Sequence, residues 1–166
     1  MNDFTAERLR KLLNYDPKTG IFTWRVAPVK WISPGDPAGY SERSAYVRIG
    51  IFGRYYRAHR LAWLYVHGEW PPSMIDHING DPSDNRLANL RVATASQNQG
   101  NAKPRKDNAY GTKGVTWHKS HKKWQARIVI DGKQTHLGHF ADKQAAIETY
   151  RRAAEAQFGE FARSSE

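Results

Sequence analysis

From Gly100 to Gly111 the chain reads Gly-Asn-Ala-Lys-Pro-Arg-Lys-Asp-Asn-Ala-Tyr-Gly, with almost no apolar side chain. A hydrophobic core needs a continuous supply of buried side chains, so this stretch reads as a basic linker and places a domain boundary near 100–111. The 166 residues are then expected to form two small modules. With 39% hydrophobic and 12% aromatic residues, the chain has enough apolar surface to fold and is not a basic disordered tail.

Lys and Arg number 26 against 16 Asp and Glu, a formal charge of +10, which calls for a polyanionic partner. Cysteine is absent, which excludes disulfides, thiolate nucleophiles and every Cys-ligated zinc site. Any metal must bind through His, carboxylate or amide oxygen. The longest apolar run, Leu61 to Val66, is far too short to cross a bilayer, and Met-Asn-Asp-Phe-Thr is no signal peptide. A soluble, intracellular protein is expected. Membrane-surface binding would favour a basic amphipathic helix, whereas the basic residues here lie mostly between turn residues. Nucleic acid is the better partner.

Along the chain, Thr5 caps a helix whose buried face is Leu9, Leu12 and Leu13, with Phe4 as a staple, ending before the turn string Asp16-Pro17-Lys18-Thr19-Gly20. Ile21–Arg25 reads as a strand, followed by a loop with Pro28, Pro34 and Pro37. Tyr46–Ile49 and Tyr55–Arg57 flank Gly53 as a hairpin, and Ala58 to His67 forms a helix closed by Gly68. Beyond the linker, Gly114–Trp117, Trp124–Ile130 and Lys133–Leu137 read as three strands, with Asp131-Gly132 as the second turn, and Asp142 caps a helix to Phe158.

The densest polar pattern lies between Met74 and Asn98. Asp76 and His77 end an apolar pair before a glycine turn. Adjacent strand residues point to opposite faces, so this pair can divide its labour, one holding a metal and the other moving a proton. Asn85–Val92 returns as a second strand, and Thr94 with Gln97 three residues later is a capping box for a helix carrying Asn98. Read in isolation, an Asp-His dipeptide is better explained as turn residues, with the Asn-rich loop a solvated coil.

Strand, loop, strand and helix with these residues resemble the ββα-metal (His-Me finger) motif of phage-type HNH homing-like endonucleases. The matching words are Asp76-His77-Ile78-Asn79-Gly80-Asp81, Asn85-Arg86-Leu87-Ala88-Asn89-Leu90-Arg91 and Ala95-Ser96-Gln97-Asn98. The resemblance implies His77 as general base, Asp76 and Asn98 as ligands of one divalent metal, and Asn89 as the catalytic-loop brace. Asn98 stands where many members have His, so hard oxygen donors favour Mg²⁺ (or Mn²⁺) over zinc. The implied reaction is phosphodiester hydrolysis leaving a 5′-phosphate. His59 and Arg60, in His59-Arg60-Leu61-Ala62-Trp63, resemble a segment preceding the motif and are further site candidates; Arg91 is a candidate phosphate contact. For His59 a structural hydrogen-bonding role is the alternative.

The C-terminal words Gly114-Val115, Lys123-Trp124-Gln125-Ala126-Arg127-Ile128, Leu137-Gly138-His139-Phe140 and Tyr150-Arg151-Arg152-Ala153-Ala154 resemble the APETALA/ethylene-response-factor DNA-binding domain. That resemblance implies three antiparallel strands packed on one helix; strand alternation puts Trp124, Ala126 and Ile128 on one face, toward a helix that carries Ala145, Ala146, Tyr150, Ala153, Ala154 and Phe158. Lys119, Lys122, Lys123, Gln125, Arg127 and Lys133 are the candidate contacts to double-stranded DNA, while Trp117 and Trp124 read as core. The base-reading arginines of plant members are mostly missing, with Thr116 and His136 at two such positions, so no target site transfers.

The expected organisation is an α+β chain: an N-terminal α+β extension (1–57), the nuclease module (58–100), a basic linker (101–110) and the DNA-binding domain (111–162). The expected location is the cytoplasm of a bacterial host, as a phage or prophage product. The expected state is a monomer, suited to nicking, or a homodimer able to cut both strands. The rival reading is a non-catalytic DNA-binding regulator, whose mark would be loss of Asp76, His77 or Asn98. An RNA-binding protein would instead show exposed aromatics on a sheet face.

Overall fold

A computed structural model describes residues 4–104, 108 and 110–163. Arg105, Lys106, Asp107 and Ala109, in the middle of the expected linker, lie outside the described residues. The chain is α+β with small antiparallel sheets and separates into two compact units, Met1–Val92 and Ala93–Glu166.

In the first unit, Thr5 caps α1 (Ala6–Leu12) by accepting from the Arg8 N–H. The helix stops earlier than its sequence pattern suggests, and Leu13–Tyr15 forms β1, paired antiparallel with β2 (Phe22–Trp24). A helix turns about 100° per residue, so it would point Leu13 and Tyr15 to opposite sides. As a strand, the segment buries both and packs the Tyr15 ring 4.7 Å from Phe22.

β3 (Tyr40–Ser41), β4 (Val47–Ile51) and β5 (Arg54–Arg57) form a three-stranded sheet. The expected hairpin is β4–β5, closed by Phe52 and Gly53, both at positive φ (50° and 74°) as a two-residue primed turn requires. α2 (Ala58–His67) follows directly and ends on Gly68 in the left-handed region at φ 84°, its N–H bonded to the Leu64 carbonyl. Ala58, Leu61, Ala62 and Leu64 form its apolar buried face against Leu9, Leu13, Ile49 and Ile75. Each fully buried Leu contributes about 1.5–3 kcal/mol.

β6 (Met74–His77) and β7 (Leu90–Ala93) make a two-stranded sheet. The second strand is shorter than the Asn85–Val92 expected, because Leu87–Asn89 coils into a 3₁₀ turn that brings the Asn89 side chain onto the preceding loop.

In the second unit, Thr94 and Gln97 make both bonds of the capping box at the start of α3 (Ala95–Asn101). Gly100 and Asn101, at the edge of the expected linker, are buried in this helix, and a Cβ on Gly100 would press into the Phe158 ring. β8 (Val115–His118), β9 (Lys123–Ile130) and β10 (Lys133–Phe140) pair antiparallel in the order β10-β9-β8. Asp142 caps α4 (Lys143–Phe158) by accepting from the Ala145 N–H. Val115, Ala126 and Ile128 meet Ala146, Tyr150, Ala154 and Phe158 in one core, while Ala145 is exposed rather than part of it. Among the described residues no helix is long and apolar enough to cross a membrane.

Gly114 has φ 71°, its carbonyl accepts from the Arg127 N–H, and a Cβ there would collide with the Tyr150 ring and the Arg127 carbonyl. Gly114→Ala is therefore expected to destabilise the second unit by about 2–4 kcal/mol, read as a lower urea midpoint at unchanged slope.

Candidate active site

Asp76 and His77 are the last two residues of β6, and only 4% and 5% of their surfaces are exposed. A carboxylate so far from water needs a cation, and Arg91 on β7 supplies one: its Nε donates to Asp76 Oδ2 at 2.9 Å. Arg91, expected on phosphate, is thus placed on the carboxylate and fixes its orientation.

His77 is held differently. Its Nε2 lies 3.4 Å from Asn85 Oδ1, and the Asn85 amide is oriented by donation from Nδ2 to the Ser83 carbonyl at 3.0 Å. An amide oxygen only accepts, so this contact calls for the proton on Nε2 and leaves the lone pair on Nδ1. Burial lowers the His77 pKa below its ordinary 6.5, with the Asn85 contact and the Asp76, Asp84 and Asp81 charges acting in the opposite direction. The imidazole is therefore neutral at neutral pH, the form that can accept a proton.

The loop between the strands is braced from inside. Asn89 accepts from the Asn79 N–H at 3.0 Å through Oδ1, and its Nδ2 donates to Asn79 Oδ1 and to the Asp84 carbonyl. Asp84 is gripped by Arg86 at two nitrogens and by Asn79 Nδ2, and the Arg86 bond above all pulls its pKa to about 2. Asn89 thus touches loop groups and positions the loop. The N-terminal hairpin buttresses the same loop. The Tyr15 hydroxyl donates to the Asn85 carbonyl at 2.7 Å, the Leu87 N–H to the Pro17 carbonyl, and Gly20, at φ 75°, leaves no room for a Cβ against the Asn85–Arg86 backbone. Burial drives the Tyr15 pKa to about 12.

His59, at the start of α2, packs edge-on to His77 with ring centroids 4.9 Å apart, and the Tyr46 ring covers both at 5.5 and 5.9 Å. His59 Nδ1 is buried without a hydrogen-bond partner. Burial foremost, then the charges of His77, Arg57 and Arg60, lowers the His59 pKa to about 3. Arg60 donates to the Ser73 carbonyl at 3.2 Å and lies over Trp70. Tyr15 and Tyr46 carry no signal in the sequence pattern, since each reaches the site through tertiary packing; Asn85 stands inside the motif, but nothing in the pattern singles it out as the partner of His77.

Asn98 is on α3 in the second unit, half-buried, its N–H bonded to the Thr94 carbonyl. In the three-stranded sheet, register places Thr116, His118, Lys123, Gln125, Arg127, Gln134, His136 and His139 on the face opposite α4. Lys119 and Lys122 are exposed in the β8–β9 turn. Lys133 pairs with Ile130, which places it on the helix side rather than with Gln125 and Arg127. Trp117 and Trp124, 5.3 Å apart, share that helix side.

A buried neutral histidine links stability to pH. The unfolded chain protonates His59 near 6.5 while the folded one resists until about 3, so stability is complete above 6.5 and falls as the pH drops between these values. In His59→Phe this part of the acid slope is expected to vanish from unfolding free energies measured between pH 7 and 4.

Residues 56–99, from β5 to α3, match the HNH endonuclease family model. Protein 3.8 of Escherichia phage T7 is 34% identical over 108 residues, 64% of this chain and 88% of that protein. An HNH endonuclease, L560, of Acanthamoeba polyphaga mimivirus is 31% identical over 106 residues, 63% of this chain and 54% of its own length. The AP2-like ethylene-responsive transcription factor ANT of Arabidopsis thaliana is 26% identical over 140 residues, 80% of this chain and 25% of the plant protein. The solved HNH homing endonuclease I-HmuI aligns with a TM-score of 0.43 at 21% identity, covering 82% of this chain and 76% of the other. The Asp76-His77 strand end, the braced loop and the capped helix fall inside the matched stretch, and the chain belongs to the HNH endonuclease family.

Proposed function

We propose that this chain is a metal-dependent DNA endonuclease in which His77 is the general base. The observation that carries the assignment is the buried, neutral His77 with its Nε2 on Asn85, directly beside a carboxylate held in place by Arg91. Hydrolysis of a phosphodiester needs a water deprotonated in line with the leaving oxygen, and His77 Nδ1 has the lone pair for that proton. Asn85 would steady the imidazolium formed, since its carbonyl oxygen receives the Nε2 proton in either state.

Asp76 and Asn98 offer a carboxylate and an amide oxygen, hard donors that fit Mg²⁺ or Mn²⁺ better than zinc. When bound, such an ion supplies positive charge for the scissile phosphate and the departing 3′ oxygen, leaving a 5′-phosphate. The part of the chain is to hold Asp76 oriented through Arg91 and to keep the loop from collapsing through Asn89. Arg91 thereby acts as a positioning residue.

The second unit is read as an APETALA-type grip on duplex DNA. Its support is the three-stranded sheet packed on one helix, with Lys123, Gln125 and Arg127 on the opposite face, together with the partial similarity to the plant factor. A basic sheet face of this kind fits the major groove, with cations on phosphates and Gln or Arg at base edges. The net +10 charge suits the same polyanion.

On supercoiled plasmid with Mg²⁺, the protein is expected to give open-circular product that EDTA prevents. His77→Ala is expected to lower cleavage by about 10²–10⁴-fold with DNA affinity nearly unchanged; retained cutting removes His77 from the role of base. The acid limb of kcat/KM is expected below pH 6.5, because a base with a lowered pKa stays neutral down to that point.

Lys123→Ala with Arg127→Ala is expected to reduce the slope of log affinity against log salt by about 1–2 units, as about 0.9 is lost per phosphate contact. An unchanged slope would remove this face from the DNA contact.

A further inference from the structure

Three imidazoles converge on the outward face of the second unit's sheet. The ligand atoms of His118, His121 and His139 all lie within 4.8 Å of one another, and His121 Nδ1 is 3.3 Å from His139 Nε2. His118 stacks on His121 with ring centroids 4.3 Å apart, and its Nδ1 is contacted by the Ser120 hydroxyl at 3.2 Å and the His121 N–H at 3.4 Å. Two residues come from the β8–β9 turn region and the third from β10, so the cluster reaches across β9.

We propose that His118, His121 and His139 form a second metal site, for a borderline first-row cation of the Zn²⁺ class, distinct in residues and donor type from Asp76 and Asn98. Geometry carries it first. Tetrahedral coordination with Zn–N bonds of about 2.0–2.1 Å sets ligand nitrogens about 3.3–3.4 Å apart, which is the His121–His139 separation. The third residue, His118, is half-buried at the end of β8 with its ligand atom within 4.8 Å of the other two, and a side-chain rotation completes the set.

Donor chemistry selects the ion. An all-imidazole set with neither carboxylate nor thiolate suits Zn²⁺, Cu²⁺ or Ni²⁺ and discriminates against Mg²⁺. Ligation requires neutral rings, and Lys123 stands on the same sheet face. The same lysine, with Lys119 and Lys122 on the adjoining turn, adds positive charge around the site, so it binds more weakly than a closed structural zinc centre. Three protein ligands leave a fourth position for water or an anionic oxygen. An ion here would clip the β8–β9 turn to β10 on the face that bears Lys123, Gln125 and Arg127.

The test is calorimetric titration of the full-length, metal-stripped chain with Zn²⁺ in the absence of nucleic acid, repeated with Co²⁺ to record the visible bands of tetrahedral coordination. One Zn²⁺ is expected to bind at this site, with affinity reduced by about tenfold or more in His121→Ala and in His139→Ala. His77→Ala and His136→Ala are expected to keep it. The ligand histidines are exposed or half-buried, so far-UV circular dichroism of the variants should match the parent. Equal affinity in the parent and His139→Ala, loss in His77→Ala alone, or no Zn²⁺ binding by the parent would each overturn the proposal. None of these readouts depends on DNA cleavage.

Discussion

A carboxylate removed from water must be paired, and the rest of the first unit's site depends on how Asp76 meets that requirement. Its partner Arg91 stands on the neighbouring strand, so one buried ion pair joins the ends of β6 and β7. Breaking a buried pair of this kind by removing one partner costs about 3–5 kcal/mol. The residue next in sequence, His77, solves its own burial in the opposite way, by staying neutral. Adjacent positions thus hold a charged oxygen donor and a neutral nitrogen base. Different surroundings at two adjacent positions, an arginine for one and an amide oxygen for the other, let one short strand hold both groups.

Because His77 is buried, its orientation has to come from protein groups rather than solvent. Asn85 provides it, and Asn85 is itself fixed at both ends: the side chain by the Ser83 carbonyl, the backbone carbonyl by the Tyr15 hydroxyl. The hairpin from Leu13 to Trp24 is therefore part of the site's support, and Gly20 is where it comes closest to the loop. The early end of α1 has a purpose in this light. Only as a strand can the segment bury Leu13 and Tyr15 together, with the hydroxyl of Tyr15 on Asn85. His59 and Tyr46 close the apolar wall behind His77, which makes the bare His59 nitrogen the counterpart of a dry environment that also keeps His77 unprotonated.

Much of this was legible in the sequence wherever the signal is local. The Thr94–Gln97 capping box, the Asp142 cap, the Gly68 stop and the two-residue turns each name their own boundary, and α2, α3, α4 and the hairpins stand close to where those residues put them. Asp76, His77, Asn89 and Asn98 were legible as a motif because residue type and spacing recur together. What pairs with them was not. Arg91 on Asp76 and Tyr15 on Asn85 are contacts across strands or across most of a unit, and no periodicity encodes them. The 3₁₀ turn at Leu87–Asn89 was hidden for a related reason: Leu87, Leu90 and Val92 look like strand residues until Asn89 turns inward to serve the loop.

The histidines of the second unit show the limit most clearly. Strict alternation along β10 assigns His136 and His139 to opposite faces, since they are three residues apart. The ladder, however, slips between His136 and Gly138, leaving Leu137 as the extra residue, so that His136 pairs with Arg127 and His139 with Gln125 on one face. A bulge of one residue inverts every assignment beyond it. Lys133, upstream of the slip, stays in register with Ile130 on the helix side, while His139, downstream, is carried over to His118 and His121. Gly138, at φ 143°, is the residue that accommodates the irregularity. A glycine inside a run of strand residues was the visible trace of that slip. Its consequence, three imidazole nitrogens within reach of one ion, exists only once the ladder is drawn.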